Sequence, residues 1–398
     1  MRVVLLRFPG RFEDAFLYMG RLIAITENHS IRVYDMEHIV KKLEEDKALL
    51  DVPTLLFCRN DRIEYGSYRP RVDDGKAAFL KAVEKLESSS IYIDEKFVQP
   101  VEWDLTIKAD ILLDLNIYNG RAYIGTNTGL YHLDLDWEGE QVALIGTAQK
   151  RLDAKCIHTT AKFGTVNASC GSEGWFSFLD DFGLGGNGSP KQKRIPEYSL
   201  RTAWLDFDIV NYPTTVSPTL FSSLRTTSIQ DIAESKNNFE QENWIVTDIK
   251  EGEFNLNRLF VNPNNHHFEP EDLQFVYNSS KALFLSTYNG NLYALGLTRG
   301  SGNDPSVSYV SQYEGLKSLI SSIHTINAGN GPGLILETDE EILLFARRRF
   351  IPIFDDEVIS IRTFSRSRHY QSIVSVTTAN EVLLIAIFDE ESYVHQGI

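Results

Sequence analysis

The sequence predicts an all-β fold: a seven-bladed β-propeller closed by its own N-terminal strand, with helical and loop insertions. Three observations predict it. One hairpin pattern is written twice, further hairpins of the same shape recur at a nearly constant spacing, and the chain opens with an orphan strand while its last repeat is one strand short.

The duplicated pattern is "RAYIGTNTGLYHLDLD" (Arg121 to Asp136) and "ALFLSTYNGNLYALGL" (Ala282 to Leu297). Aligned, Tyr123 falls on Phe284, Ile124 on Leu285, Thr126 on Thr287, Gly129 on Gly290, Leu130 on Leu292 and Tyr131 on Tyr293. Each copy is a short apolar strand, a tight turn with glycine and a second strand of alternating apolar residues, which is the signature of an antiparallel hairpin. A lone hairpin is marginal in water, so a repeated one implies units that bury their faces on one another. Similar units, each preceded by one more apolar strand, run from Ala15 to Met36, Cys156 to Asp181, Ala203 to Leu224, Ser321 to Ala346 and Val358 to Asp389. Their separation of roughly 40 to 50 residues is that of a four-stranded blade.

Outer fourth strands follow several hairpins: "EQVALIG" at Glu140, "SVSYVSQY" at Ser306 and "RFIPIFD" at Arg349. The last unit lacks one, and "RVVLLRF" (Arg2 to Phe8) stands alone at the start. Pairing Arg2 to Phe8 with Glu381 to Phe388 repairs both absences and leaves no long open edge. Two stretches interrupt the rhythm of this single domain, 1–398. Residues 36–110 hold "MEHIVKKLEEDKALL" and "KAAFLKAVEKLE", which have helical apolar spacing, and 226–270 read as an irregular insertion.

Composition narrows the function. Hydrophobic content of 42% and aromatic content of 11% suffice for a sizeable core. A net charge of -16 opposes broad attraction to nucleic acid or to an anionic membrane surface, and no stretch approaches the length of a membrane span. "MRVVLLRFPGRFED" makes a poor secretion signal, and three widely spaced cysteines (Cys58, Cys156, Cys170) fit a reducing compartment, so the expected location is cytoplasmic.

"AYIGTNTGLYHLDLD" and "LFLSTYNGNLYALGL" resemble the repeats of quinoprotein-like propellers and of bacterial two-component sensor propellers. The resemblance implies the propeller fold. The Trp-Asp ending of WD repeats and the sialidase Asp box are absent, and the adjacent cysteine pair that quinoprotein dehydrogenases imply is not in the sequence, so no cofactor is expected.

Local motifs give little chemistry. "GLGGNG" (Gly183 to Gly188) matches a dinucleotide fingerprint but runs into "SPKQKRIPEY", whose prolines suit a loop. "DLDWEG" from Asp134 begins like a calcium loop, yet Ile145 stands where a bidentate glutamate would close it. His266 and His267, near Glu269 and Asp272, are adjacent and point apart in extended backbone. Cys170 reads as a small core residue. An enzyme of the metal-dependent hydrolase or lactonase kind would place its site in the central channel, with Asp114, Asp206, Asp208, His158 and His324 as available ligands.

Charge sorted by loop class is more informative. Loops joining second to third strands, and one blade to the next, carry Glu173, Asp339, Glu340, Glu341, Asp355, Asp356, Glu357 and Glu381. The opposite class carries Arg347, Arg348 and Arg349, then Arg366, Arg368 and His369, and Lys191, Lys193 and Arg194. The expectation is a non-catalytic scaffold or regulatory subunit that binds protein partners through Arg347, Arg348, Arg349, Arg366, Arg368 and His369. A nucleic-acid adaptor using the same arginines is the remaining alternative.

Overall fold

The structure is a computed structural model in which residues 1–64, 73–89, 91–93, 96–105, 107, 111–136, 143–179, 192–227, 244–251, 270–279, 282–299, 305–328 and 331–390 are described. "GLGGNG", Lys191, His266, His267 and Glu269 lie outside them.

The chain opens with β1 (Arg2–Pro9). Blade 1 is β2 (Phe12–Tyr18), β3 (Arg21–Thr26) and β4 (Ser30–Asp35), followed by α1 (Met36–Leu43), α2 (Val52–Phe57), α3 (Asp61–Glu64), α4 (Asp73–Ser88) and the short β5 (Ile91–Tyr92) before its outer strand β6 (Val101–Asp104). Blade 2 is β7 (Leu112–Tyr118), β8 (Arg121–Thr126), β9 (Leu130–Asp136) and β10 (Ala143–Leu152). Blade 3 is β11 (His158–Lys162), β12 (Thr165–Ser169), β13 (Trp175–Leu179) and β14 (Gln192–Ile195), and blade 4 is β15 (Arg201–Leu205), β16 (Asp208–Tyr212), β17 (Thr219–Thr227) and β18 (Trp244–Glu251). Blade 5 is β19 (Leu273–Asn278), β20 (Ala282–Thr287), β21 (Asn291–Arg299) and β22 (Pro305–Glu314). Blade 6 is β23 (Ile320–Asn327), β24 (Pro332–Thr338), β25 (Ile342–Ala346) and β26 (Arg349–Phe354), and blade 7 begins with β27 (Ser360–Thr363), β28 (Ile373–Thr377) and β29 (Glu381–Phe388).

Each of these sheets is an antiparallel meander in chain order, the strand arrangement of a seven-bladed β-propeller. β1 completes blade 7 by pairing antiparallel with β29, from Arg2 opposite Phe388 to Pro9 opposite Glu381. The stretch 226–270 needs correcting: it holds β18, which continues blade 4 beside β17 across a bulge at Leu224/Arg225. A bulge breaks the period-2 alternation that marks a strand, so this one read as irregular.

The described chain divides into two compact units. The first comprises Met1–Thr106, Asp136–Leu144 and Ile320–Ile398, with blades 6, 7 and 1. Its largest core joins Val4, Leu6 and Phe8 of β1 to Phe79, Val83 and Leu86 of α4 and to Leu55 and Phe57 of α2. β5 adds parallel to β1, so strand and helix together cover what would be an open sheet edge.

The second unit comprises Ile107–Leu135 and Ile145–Leu319. Its middle strands β8, β12 and β16 are buried at every residue, whereas first strands such as β11 alternate. Sheets stacked face to face produce this pattern, because a middle strand has neighbours on both sides. Among the described residues, no helix is long and apolar enough to cross a membrane.

Candidate functional site

Blades 6 and 7, both in the first unit, bring the predicted arginines to one edge. Within a meander the turn from third to fourth strand and the turn from first to second share an edge, so β25–β26 and β27–β28 emerge together. The β27–β28 loop is tied to blade 6 by Asn327 N–H to the Gln371 carbonyl (2.9 Å) and by Thr325 Oγ1 with Ser365 Oγ (3.0 Å).

Ala346 pairs with Arg349, leaving Arg347 and Arg348 as a two-residue hairpin tip with φ of 50° and 62°. Two positive φ values define a turn that fits the right-handed strand twist but favours Asn-Gly. Arg347 ion-pairs with the carboxylate of Asp389, whose side chain is 1% exposed. Arg348 and Arg349 are exposed and make no ion pair among the described residues.

The other half of the rim leans on the insertion. Asp61, at the start of α3, is buried and accepts His369 Nδ1 at 3.2 Å, with Arg368 Nε at 3.8 Å and Arg59 Nε at 3.9 Å. Asn60 N–H donates to the His369 carbonyl (3.2 Å), which fixes the loop against α3. Arg366 and Arg368 remain exposed. The structure therefore brings all six predicted residues to one edge of adjacent blades, yet Arg347, Arg368 and His369 are engaged from within. Sequence reasoning missed Asp61 and Asp389, which lie 308 and 42 residues from their partners.

Arg194 departs from the charge sorting. In the second unit it donates from Nε to the Glu173 carbonyl (3.0 Å) and from Nη2 to the Glu173 carboxylate (3.2 Å), joining residues assigned to opposite edges. The cause is register: Arg194 lies within β14, opposite Phe176, beside the start of β13. On the acidic edge of the first unit, Glu381 is neutralised by Arg7 at 2.5 Å, while Asp339, Glu340, Asp355, Asp356 and Glu357 are exposed.

Of the residues available for a channel enzyme, Asp114 and His324 have side-chain partners within the fold. Asp114 accepts Thr159 N–H (2.5 Å) and Oγ1 (2.6 Å) across the seam of blades 2 and 3. Asp14 takes the equivalent place in the first unit, accepting Ser360 Oγ (2.9 Å) and Arg362 Nε (3.1 Å) of blade 7. Each aspartate follows a bulge near the start of its first strand, so the pair is a repeated staple between blades. The Asp206 carbonyl accepts Lys162 Nζ at 2.7 Å.

His324 Nε2 meets Ser322 Oγ at 3.0 Å, while the same hydroxyl donates to Glu337 Oε2 at 2.6 Å. A catalytic triad needs the carboxylate on the far ring nitrogen of the histidine. Here acid and imidazole converge on one hydroxyl, whose O–H is donated to the glutamate rather than to the imidazole. No group of three or more metal-ligating side chains occurs among the described residues.

Cys156 and Cys170 are 14 positions apart in sequence but share one buried core cluster, with their thiols donating to the His158 and Ala168 carbonyls. The neighbouring Cys170 and burial both hold the Cys156 thiol well above its ordinary titration range, which keeps it protonated and a poor nucleophile.

No protein-family model matches the chain, and no curated protein matches it. Among solved structures it is similar to the BBS1N domain crystallised with ARL6DN (8% identity, 98% of this chain and 99% of that one, TM-score 0.47). It is also similar to the Cps50 (Swd1) β-propeller domain of Myceliophteria thermophila (5% identity, 95% and 98%, TM-score 0.46) and to the WD40 propeller domain of Doa1 (8% identity, 96% and 95%, TM-score 0.44). The fold of the chain is a seven-bladed β-propeller, read from its own seven meanders.

Proposed function

We propose that the chain is a non-catalytic, cytoplasmic protein-interaction scaffold whose blade 6 and 7 edge receives an acidic segment of a protein partner. One observation carries this reading: Arg347 and Arg348 occupy a hairpin tip whose backbone favours glycine at the second position. A left-handed non-glycine residue costs about 1–2 kcal/mol, and backbone strain of this kind gathers at functional sites.

Asp389 anchors Arg347, and Asp61 positions Arg368 and His369. Arg348 and Arg349 then present guanidinium groups suited to bidentate contact with carboxylates, and Arg366 stands exposed on the same edge. A rigid edge also lowers the ordering cost of association.

The test is the triple variant Arg348→Glu, Arg349→Glu, Arg366→Glu, compared with the unaltered chain as bait in its native host and, for any stoichiometric companion, by titration. All three positions are exposed, so the variant should keep its melting temperature. Affinity should fall by roughly 100-fold, because attraction becomes repulsion at three contacts. A companion that binds the variant as tightly overturns the assignment of this edge.

A further inference from the structure

The seam between blades 3 and 4 lies wholly within the second unit, and polar side chains line it. In β12, Val166 and Ala168 pack into one core with Tyr123 and Leu130 of blade 2. Strand side chains alternate, so Asn167 and Ser169 turn the other way, toward blade 4. Ser169 stands opposite Trp175, whose ring meets Phe221 of β17 edge-on with 5.2 Å between centroids, which fixes that direction. From blade 4, Trp204 and Ile209 share a core with Trp175. Thr202 and Asn211 lie two residues from them on the same strand faces, directly opposite each other.

Asn167, Ser169, Thr202, Asn211, Trp175 and Trp204 are all buried. Yet Asn167 Oδ1 and Nδ2, Ser169 Oγ, Thr202 Oγ1, Asn211 Oδ1 and both indole Nε1 atoms have no hydrogen-bond partner among the described residues. Asn211 is held in place, since its Nδ2 donates to the Tyr198 carbonyl at 3.0 Å. Two residues beyond Ser169 the blades are tied by backbone, Gly171 N–H to the Ser199 carbonyl at 2.9 Å and Ser199 N–H to the Gly171 carbonyl at 3.1 Å. The neighbouring seam of blades 4 and 5 is apolar, with Leu205, Val210 and Leu220 against Leu273, Val276 and Leu283. A buried polar atom left without a partner costs its full desolvation penalty, so a seam that gathers several of them needs an occupant.

The atoms themselves define that occupant. The indole Nε1 and the amide Nδ2 only donate, the amide Oδ1 atoms only accept, and the hydroxyls do both. A cation would serve the oxygens and strand the N–H groups, and an anion would do the reverse. Water serves both kinds, and internal waters make about three bonds each to groups of this sort. Polar atoms that face one another across two sheets without bonding directly are the arrangement a bridging water completes. We propose that the seam of blades 3 and 4 is a binding site for internal water, a cluster that hydrogen-bonds Asn167 and Ser169 of one sheet to Thr202 and Asn211 of the next.

The test is a high-resolution crystal structure of the full chain, read together with the urea midpoints of Thr202→Val and Ser169→Ala. Ordered water should lie within hydrogen-bonding distance of at least two of these side chains, one from each blade. In Thr202→Val the water bound at Oγ1 should be lost and the midpoint should fall, because valine keeps the shape of threonine and deletes the bond. If the hydroxyl were unpartnered in solution, valine would remove a desolvation penalty and the midpoint would rise. Ser169→Ala should also fall, and it carries the reading alone if Thr202→Val does not fold. A seam in which these side chains bond one another directly, or in which an ion stands in place of water, overturns the site. Waters present with an unchanged or higher midpoint overturn their part in joining the blades. No residue of the arginine edge takes part, so failure here is distinct from failure of the proposed function.

Discussion

Two hairpin tips in the first unit have the same backbone and opposite chemistry. Met19–Gly20 joins β2 to β3 with φ of 43° and 76°, and Arg347–Arg348 joins β25 to β26 with 50° and 62°. The first follows the local rule, glycine at the second left-handed position, as do Asn119–Gly120 and Phe163–Gly164 in the second unit. Its amide is also tied to a neighbouring blade, since Gly20 N–H donates to the Tyr370 hydroxyl at 2.5 Å. The second breaks the rule and is tied by a side chain instead, through Arg347 and Asp389. A turn built for stability keeps glycine; a turn that keeps arginine at a conformational cost points to the guanidinium as the selected feature.

The largest expected effect removes the support of the arginine edge rather than its tip. Asp61→Ala leaves Arg59, Arg368 and His369 without their shared carboxylate. All three side chains are partly exposed and can rehydrate, so the cost should be about 1–3 kcal/mol in urea unfolding rather than that of a fully buried pair. Amide exchange should quicken in the β27–β28 loop and in α3 while the Arg347 tip is unchanged. A loss confined to α3 would show that the insertion does not position the loop.

Next in size is Gly20→Arg, which writes the second tip's chemistry onto the first. The nearest atom to a Cβ there is Glu37 Cγ at 4.0 Å, so the substitution meets space and tests the backbone alone. Destabilisation of about 1–2 kcal/mol is expected from the left-handed φ. A neutral result would mean that such tips tolerate arginine freely, and the arginine tip would lose its significance.

Most of the fold was legible because period-2 apolar alternation, glycine turns and spacing are local signals, and the terminal pairing followed from counting strands. Legibility ended where partners are distant or register slips. Arg347, Arg348, Arg366 and Arg368 could be grouped from the meander rule, but nothing near them marks Asp389 or Asp61 as partners. Arg194 was assigned to the wrong edge because β14 is only four residues long and its register decides which end it reaches. Asp114 looked like an available ligand, although its alignment with Asp14, four residues before Tyr118 and Tyr18 respectively, was a repeat signal for the staple the structure contains. Cys156 and Cys170 share one buried core cluster, a proximity that has no signature in spacing.

The smallest effect is the most discriminating. Arg348→Gly should stabilise the chain by about 1 kcal/mol, because glycine adopts the left-handed conformation without a Cβ penalty. Part of that gain is returned through the greater freedom of glycine in the unfolded chain, so a rise of a few degrees in melting temperature is the upper expectation. The same substitution deletes an exposed guanidinium and should weaken an acidic partner several-fold. Opposite signs for stability and binding are what a strained, functional turn requires. If Arg348→Gly leaves binding intact while raising stability, the arginine contributes nothing at that tip and the edge is an ordinary solvated rim; if it lowers stability, Arg348 holds the turn through contacts of its own.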